Sequence, residues 1–108
     1  MDPVATDPND LATVLSVAKP WATGLWPING CTFGADGTFY ASQLITSSGF
    51  SGGDVVKIPF ANPASHTTLA EDSLVFPAGV AVGQDGAVYV VNGSACVPDG
   101  AVVRLTNR

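Results

Sequence analysis

Residues 34–40 read GADGTFY and residues 83–89 read GQDGAVY, so one Gly-x-Asp-Gly-x-apolar-Tyr phrase occurs twice, 49 positions apart, in a chain of 108 residues. The match extends upstream, where Gly30 answers Gly79. It extends downstream too, where GDVVKI at 53–58 answers GAVVRL at 100–105 with an offset of 47. The two-residue difference falls between these blocks, in a stretch where a loop tolerates a change of length. In repeat architectures each copy is one supersecondary unit, which buries its apolar faces only against neighbouring copies. A period near 50 in β-type sequence points to propeller blades.

Each copy has the grammar of an antiparallel sheet. Asp36-Gly37 and Asp85-Gly86 stand between β-rich runs, GCTF and TFYAS in the first copy, GVAV and AVYVV in the second. An Asp-Gly pair in that setting predicts a two-residue type I′ hairpin with φ > 0 at both residues. A polar, Gly-rich loop follows, then a third strand (DVVKIPF, AVVRL), and in the first copy a fourth near SHTTLA. With blade strands labelled a to d from the axis outward, the prediction is d at about 12–17, a at 28–34, b at 38–44, c at 54–60 and d at 65–70. The second copy then gives a at 77–83, b at 87–92 and c at 100–106. No segment sustains a helical period with a cap, apart from a single turn at 9–12. Residues 1–10, MDPVATDPND, read as a disordered lead-in, and 11–108 as the two-blade segment.

The expected fold class is therefore all-β: a β-propeller with two four-stranded blades per chain. The second copy lacks its own d strand, while an orphan d strand opens the chain. In that arrangement an N-terminal strand completes the last blade, here across subunits. A closed ring takes about four to eight blades, and a stack of two leaves two apolar faces wet. Three chains with cyclic symmetry supply six blades, so a homotrimer is the expected assembly. The competing expectation is that the chain is the C-terminal piece of a longer propeller.

Composition agrees with self-association. Only 12% of residues are charged, about half the usual share, and mean hydropathy is +0.32. The longest apolar stretch, VFPAGVAVG, is broken by Pro77, Gly79 and Gly83 and falls short of the about 18 residues of a membrane helix. Nine acids against four bases leave a net charge of −5 with no basic cluster, which argues against a nucleic-acid footprint or an anionic-membrane patch. The opening residues lack the basic and apolar regions of a secretory signal. Cys31 and Cys96 stand in neither a C-x-x-C pair nor a metal-ligand spacing. A packed Cys31 and a loop Cys96, both reduced, are expected, with a bridge as the alternative.

The strings NGCTFGADGTFYASQL, GGDVVKIPFANPASHT and GVAVGQDGAVYVVNGSACVPDGAVVRLTN resemble the ScyD/ScyE family of bacterial NHL-like β-propeller proteins, over roughly residues 25–107. The resemblance implies a six-bladed propeller, often in exported (periplasmic or extracellular) proteins, with scytonemin pigment biosynthesis as the setting of the founding members. It implies no catalytic residue. Members are usually several times longer than this chain.

In such a blade the a–b and c–d connections emerge at one end, and the d–a and b–c connections at the other. The first end has tight Asp-Gly turns and the proline-fixed PFANPASH. The other has AKPWATGLWP, QLITSSGFSGG and NGSACVPDG. Large aromatics on loops are the candidate ligand- or partner-binding residues, namely Trp21, Trp26 and Phe50, together with Asn92. The competing role for Trp21 and Trp26 is to plug the ring or cap the seam between blades. Asn92-Gly93-Ser94 also fits a glycosylation sequon. Tyr40 and Tyr89 are expected to pack, Asp36 and Asp85 to form turns, and His66 to face solvent far from the aromatics. Glu71 and Asp72, read as preceding the second a strand, are weak candidates for a metal.

No nucleophile–base pair or metal cluster stands out. The function expected is a non-catalytic scaffold or binding module that closes into a ring, with a protein, pigment or glycan on the d–a and b–c loops and no cofactor. The first alternative is a calcium-dependent hydrolase or lyase drawing oxygen ligands from Asn29, Glu71, Asp72 and Asn92. The second is a propeller fragment with no role beyond assembly.

Overall fold

The computed structural model describes residues 18–95 and 99–106, and among these the fold is all-β, without a helix. Seven strands form two antiparallel sheets. Strands β1 (Ile28–Phe33), β2 (Phe39–Gln43), β3 (Gly53–Ile58) and β4 (Thr67–Leu74) make the first, in chain order. Strands β5 (Val80–Val82), β6 (Val88–Asn92) and β7 (Ala101–Leu105) make the second. The strands expected from residue 28 onward fall on these elements within a few residues, except that β4 runs on to Leu74 and β5 begins at Val80. The lead-in, the turn at 9–12 and the strand at 12–17 lie outside the described residues.

The repeated phrase folds into a different hairpin from the expected type I′ turn, one residue longer. Gly37 and Gly86 have φ of +87° and +80°, but Asp36 and Asp85 do not share the left-handed region. Gly37 N–H donates to Gly34 O at 3.0 Å and Gly34 N–H to Thr38 O at 2.8 Å; Gly86 to Gly83 and Gly83 to Ala87 repeat the pattern at 2.9 Å each. This is a three-residue hairpin loop with a left-handed glycine closing it. The aspartate is held out of the left-handed region by its own side chain, which accepts from the backbone two residues on: Thr38 N at 3.0 Å for Asp36, Ala87 N at 3.1 Å for Asp85. The first glycine of the phrase makes room for the tyrosine. A Cβ on Gly34 would meet the Tyr40 ring at 3.3 Å, and one on Gly83 the Tyr89 ring at 2.6 Å.

Strand β4 is bulged. Leu69 pairs with Val55 and Leu74 with Gly53, so residues 70–73 stand opposite Asp54 alone. Ala70 and Asp72 both have φ of +54°, a costly conformation without a glycine. Glu71 and Asp72 thus belong to β4 rather than to a turn ahead of the next strand.

Alternation along the strands sorts the core into two layers. Tyr40, Val55, Leu69 and Leu74 of the first sheet pack against Val88 and Val90 of the second, with Val80, Val82, Val103 and Leu105 around them. The other face of the first sheet presents Ala41, Val56 and Ile58, which are buried under Ala22 and Leu25 and beside Phe39. Among the described residues, then, one of the two faces expected to be wet carries a cover, and the other, the outer face of the second sheet, carries none. The sheets touch most closely at their first strands, where a Cβ on Gly30 would lie 2.5 Å from Ala78 O. Ser42 Oγ donates to that same carbonyl at 2.7 Å. Cys31 is a free thiol, but it is exposed on β1 rather than packed.

Candidate functional site

Residues 18–27 form a strap over the first sheet. At one end Trp21 stacks on Phe60 with centroids 5.8 Å apart and meets Phe39 edge-on at 5.6 Å and Phe33 at 6.5 Å. Those three phenylalanines flank the Asp-Gly turn and the proline loop, so Trp21 sits at the tight-turn end and not at the loop-rich end. His66 is its neighbour there: the two line a shallow cleft with Ala22, Thr23, Pro63 and Ala64. The expected separation of His66 from the aromatics does not hold, because the strap runs lengthwise down the sheet. Trp26 lies at the other end, where its N–H donates to Gln43 Oε1 at 2.9 Å.

Between the strap and the β3–β4 edge is a cleft of about 240 Å³, lined among others by Trp26, Gln43, Thr46, Asp54, Glu71 and Asp72. Asp54 is its most constrained group, 4% exposed, with Gln43 Nε2 donating to its Oδ1 at 2.6 Å. Burial pushes the Asp54 carboxyl above the ordinary range; the Gln43 hydrogen bond opposes this, and the Asp72 and Glu71 charges add to it. Asp72 Oδ1 accepts from Thr46 Oγ1 at 3.3 Å, and Thr46 Oγ1 also lies 2.7 Å from Gly52 O. The β4 bulge brings Asp72 to this loop. The cleft can hold a small polar or cationic group beside an indole.

The remaining candidates are engaged in structure. Phe50 stacks on Phe76 at 5.3 Å while staying exposed. Asn92 Oδ1 accepts from Val75 N at 2.7 Å, and Asn29 Nδ2 donates to Pro77 O at 2.9 Å. The four oxygen-bearing residues expected to converge on a calcium ion are thus divided between sheet ties and the β4 bulge. No group of three or more His, Cys, Asp or Glu side chains suited to a metal is present among the described residues.

One device escaped the sequence comparison. Gln43 and Asn92 are 49 residues apart, as are Trp26 and Val75. In both copies the carboxamide ending the second strand accepts from the backbone N–H of the segment entering the first strand. The residue types differ at both places, so identity matching passes over a repeat that the hydrogen bonds make plain. Comparison with protein-family models, with curated proteins and with solved structures found no match.

Proposed function

We propose that the chain is a non-catalytic scaffold and binding module, a β-propeller segment as the ScyD/ScyE resemblance implies, closing head-to-tail into a ring of six blades from three chains. A single comparison carries this reading. Val55 and Val102 are repeat equivalents, yet Val55 is 0% exposed beneath the second sheet and Val102 is 68% exposed on that sheet's outer face. The same holds for buried Tyr40 and half-exposed Tyr89. The cover that the first copy receives has its own counterpart: Val88, Val90, Val103 and Leu105 answer Phe39, Ala41, Val56 and Ile58. One face of the first sheet therefore resembles what the bare face of the second sheet needs, an interface between unlike surfaces of identical chains. Strand β3 carries β4 on its outer edge, whereas its equivalent β7 carries no strand there among the described residues, an edge open to strand addition. The binding role falls to the loop end, where Trp26 borders the cleft around Asp54.

Light scattering across a concentration series tests the assembly. The expected mass rises to a plateau at three times the 11.0 kDa of one chain; a fixed monomer mass at every concentration refutes it. Gly79→Val sharpens the test. Gly79 has open space where a Cβ would go, its nearest neighbour being Val91 at 3.9 Å, whereas its equivalent Gly30 abuts Ala78 O. The variant is expected to fold as a single chain and fail to assemble.

A further inference from the structure

We infer that the strap, residues 18–27, is an exchangeable stand-in for a neighbouring copy: it covers the face of the first sheet until the Tyr89 and Val102 face of a second copy displaces it. This rests on the ring reading above and adds what must move for the ring to form. Ala22 and Leu25 of the strap lie on Ala41, Val56 and Ile58. The equivalents of these three in the second copy, Val90, Val103 and Leu105, are covered instead by a sheet bearing Tyr40 and Val55. The strap is thus seated where repeat logic puts Tyr89 and Val102 of another chain.

It is a partial substitute. Cys31 and Phe33 belong to the same face, being equivalents of Val80 and Val82. Val80 and Val82 are half-buried against the core between the sheets, but Cys31 is exposed and Phe33 is 56% exposed under the strap. A sheet fills that face to its inner edge and the strap does not, so the second copy offers the larger burial of apolar area.

The strap is also built to swing. Its C-terminal end is fixed by bonds that recur or nearly recur in the second copy: Trp26 N to Gln43 Oε1 at 2.9 Å, and Leu44 N to Pro27 O at 2.8 Å. Just ahead of that anchor Gly24 has φ of +76° and open space around its missing Cβ, which suits a pivot. Ahead of the Trp26 anchor, among the described residues, the strap is held by side-chain packing: Leu25 and Ala22 on the sheet, and Trp21 against Phe39 and Phe60.

The test uses the strap's own reporters, because the two tryptophans of the chain are Trp21 and Trp26. In a Trp26→Phe background Trp21 alone emits. As the assembled fraction rises with concentration, Trp21 emission is expected to move to the red and its quenching by acrylamide to increase, while maleimide labelling of Cys31 slows. Leu25→Ser and, separately, Trp21→Ala weaken the strap, and each is expected to lower the concentration of half-assembly by about tenfold. Should Leu25→Ser fail to fold, Trp21→Ala and the emission of the folded parent decide alone. Assembly with unchanged Trp21 emission and an unshifted midpoint overturns the exchange and leaves the ring standing. A monomer at every concentration in the parent and both strap variants, with constant Cys31 labelling, overturns the ring and the exchange together.

Discussion

The most direct experiment changes the same residue type at two equivalent places. Val55→Ala and Val102→Ala each remove two methyl groups from the third strand of a sheet, and in a chain that functions alone they should differ greatly. Val55 is 0% exposed. At about 0.8 kcal/mol per buried methylene the transfer loss is about 1.6 kcal/mol, and the residual cavity raises it to about 2–3 kcal/mol. Val102 is 68% exposed, so about a third of its transfer free energy is at stake within one chain, about 0.5 kcal/mol. In a ring Val102 takes on the burial of Val55, and the substitution then weakens each contact between chains by about 1–2 kcal/mol, roughly ten-fold in affinity. Urea unfolding at a concentration too low for assembly measures the first effect. Sedimentation velocity over a concentration series measures the second. The expected pattern is a low midpoint in urea for Val55→Ala alone, and a displaced assembly midpoint for Val102→Ala. Equal destabilisation of the dilute chain, or unchanged assembly in Val102→Ala, refutes the equivalence of the two faces.

Asp54→Asn keeps an oxygen to accept from Gln43 Nε2 and removes a buried charge. The folded pKa of Asp54 lies above the unfolded value of 3.8, so the folded state binds the proton more tightly and stability falls as pH rises through the window between the two. The variant is expected to be more stable than the parent at pH 7, with the difference shrinking on acidification; thermal melts from pH 4 to 7 check this. Asp36 and Asp85 work in the opposite sense. Backbone donation from Thr38 and from Ala87 holds their carboxyls below 3.8, so their contribution is present at neutral pH and lost as pH falls through the lowered values. The difference between variant and parent isolates Asp54 from that background. Asn92→Ala strands Val75 N–H and is expected to cost about 1 kcal/mol, with faster hydrogen exchange at Val75 and Gly93, whereas a surface asparagine kept free for a ligand would lose nothing.

Strand positions were legible because each copy states them independently. Two runs of alternating apolar residues around a Gly-x-Asp-Gly turn fix β1, β2, β5 and β6 by mutual consistency. Register in the turn was less legible. Asp-Gly suits two hairpin geometries, and the choice depends on a hydrogen bond that the Asp36 carboxylate accepts from Thr38 N–H, which composition does not encode. The β4 bulge was invisible for a similar reason, since Ala70 and Asp72 are not residues that announce a left-handed backbone. Placement of Trp21 and His66 failed on a different point. Topology puts the connection AKPWATGLWP at an end of the sheet, but a ten-residue segment is long enough to lie along a face, and the apolar Ala22 and Leu25 draw it there. Asp54 is hidden in the sequence because GDVVKI answers GAVVRL so well that its aspartate, the one unmatched polar residue, reads as strand filler.

That mismatch at Asp54 bears on how the two copies divide the work. Alanine stands at the equivalent position, Ala101, and is exposed. The b–c loops also differ in sequence, and the cleft of Thr46, Asp54 and Asp72 lies in the first copy. What the copies share is the turn, the amide tie to the incoming segment and the glycine on the first strand. Those are the parts that set how one sheet lies on the next. Gly30 lets Ala78 O approach to within the reach of a missing Cβ, and Gly79 presents the same vacancy on the outer side. A contact between chains can therefore adopt the spacing already present within the chain. Such a head-to-tail series closes when the rotation from chain to chain divides a full turn with no rise along the axis, a third of a turn for three chains, and any other rotation or a rise gives an open filament. The features the copies share are those at the contact between the sheets, and the cleft lies away from that contact.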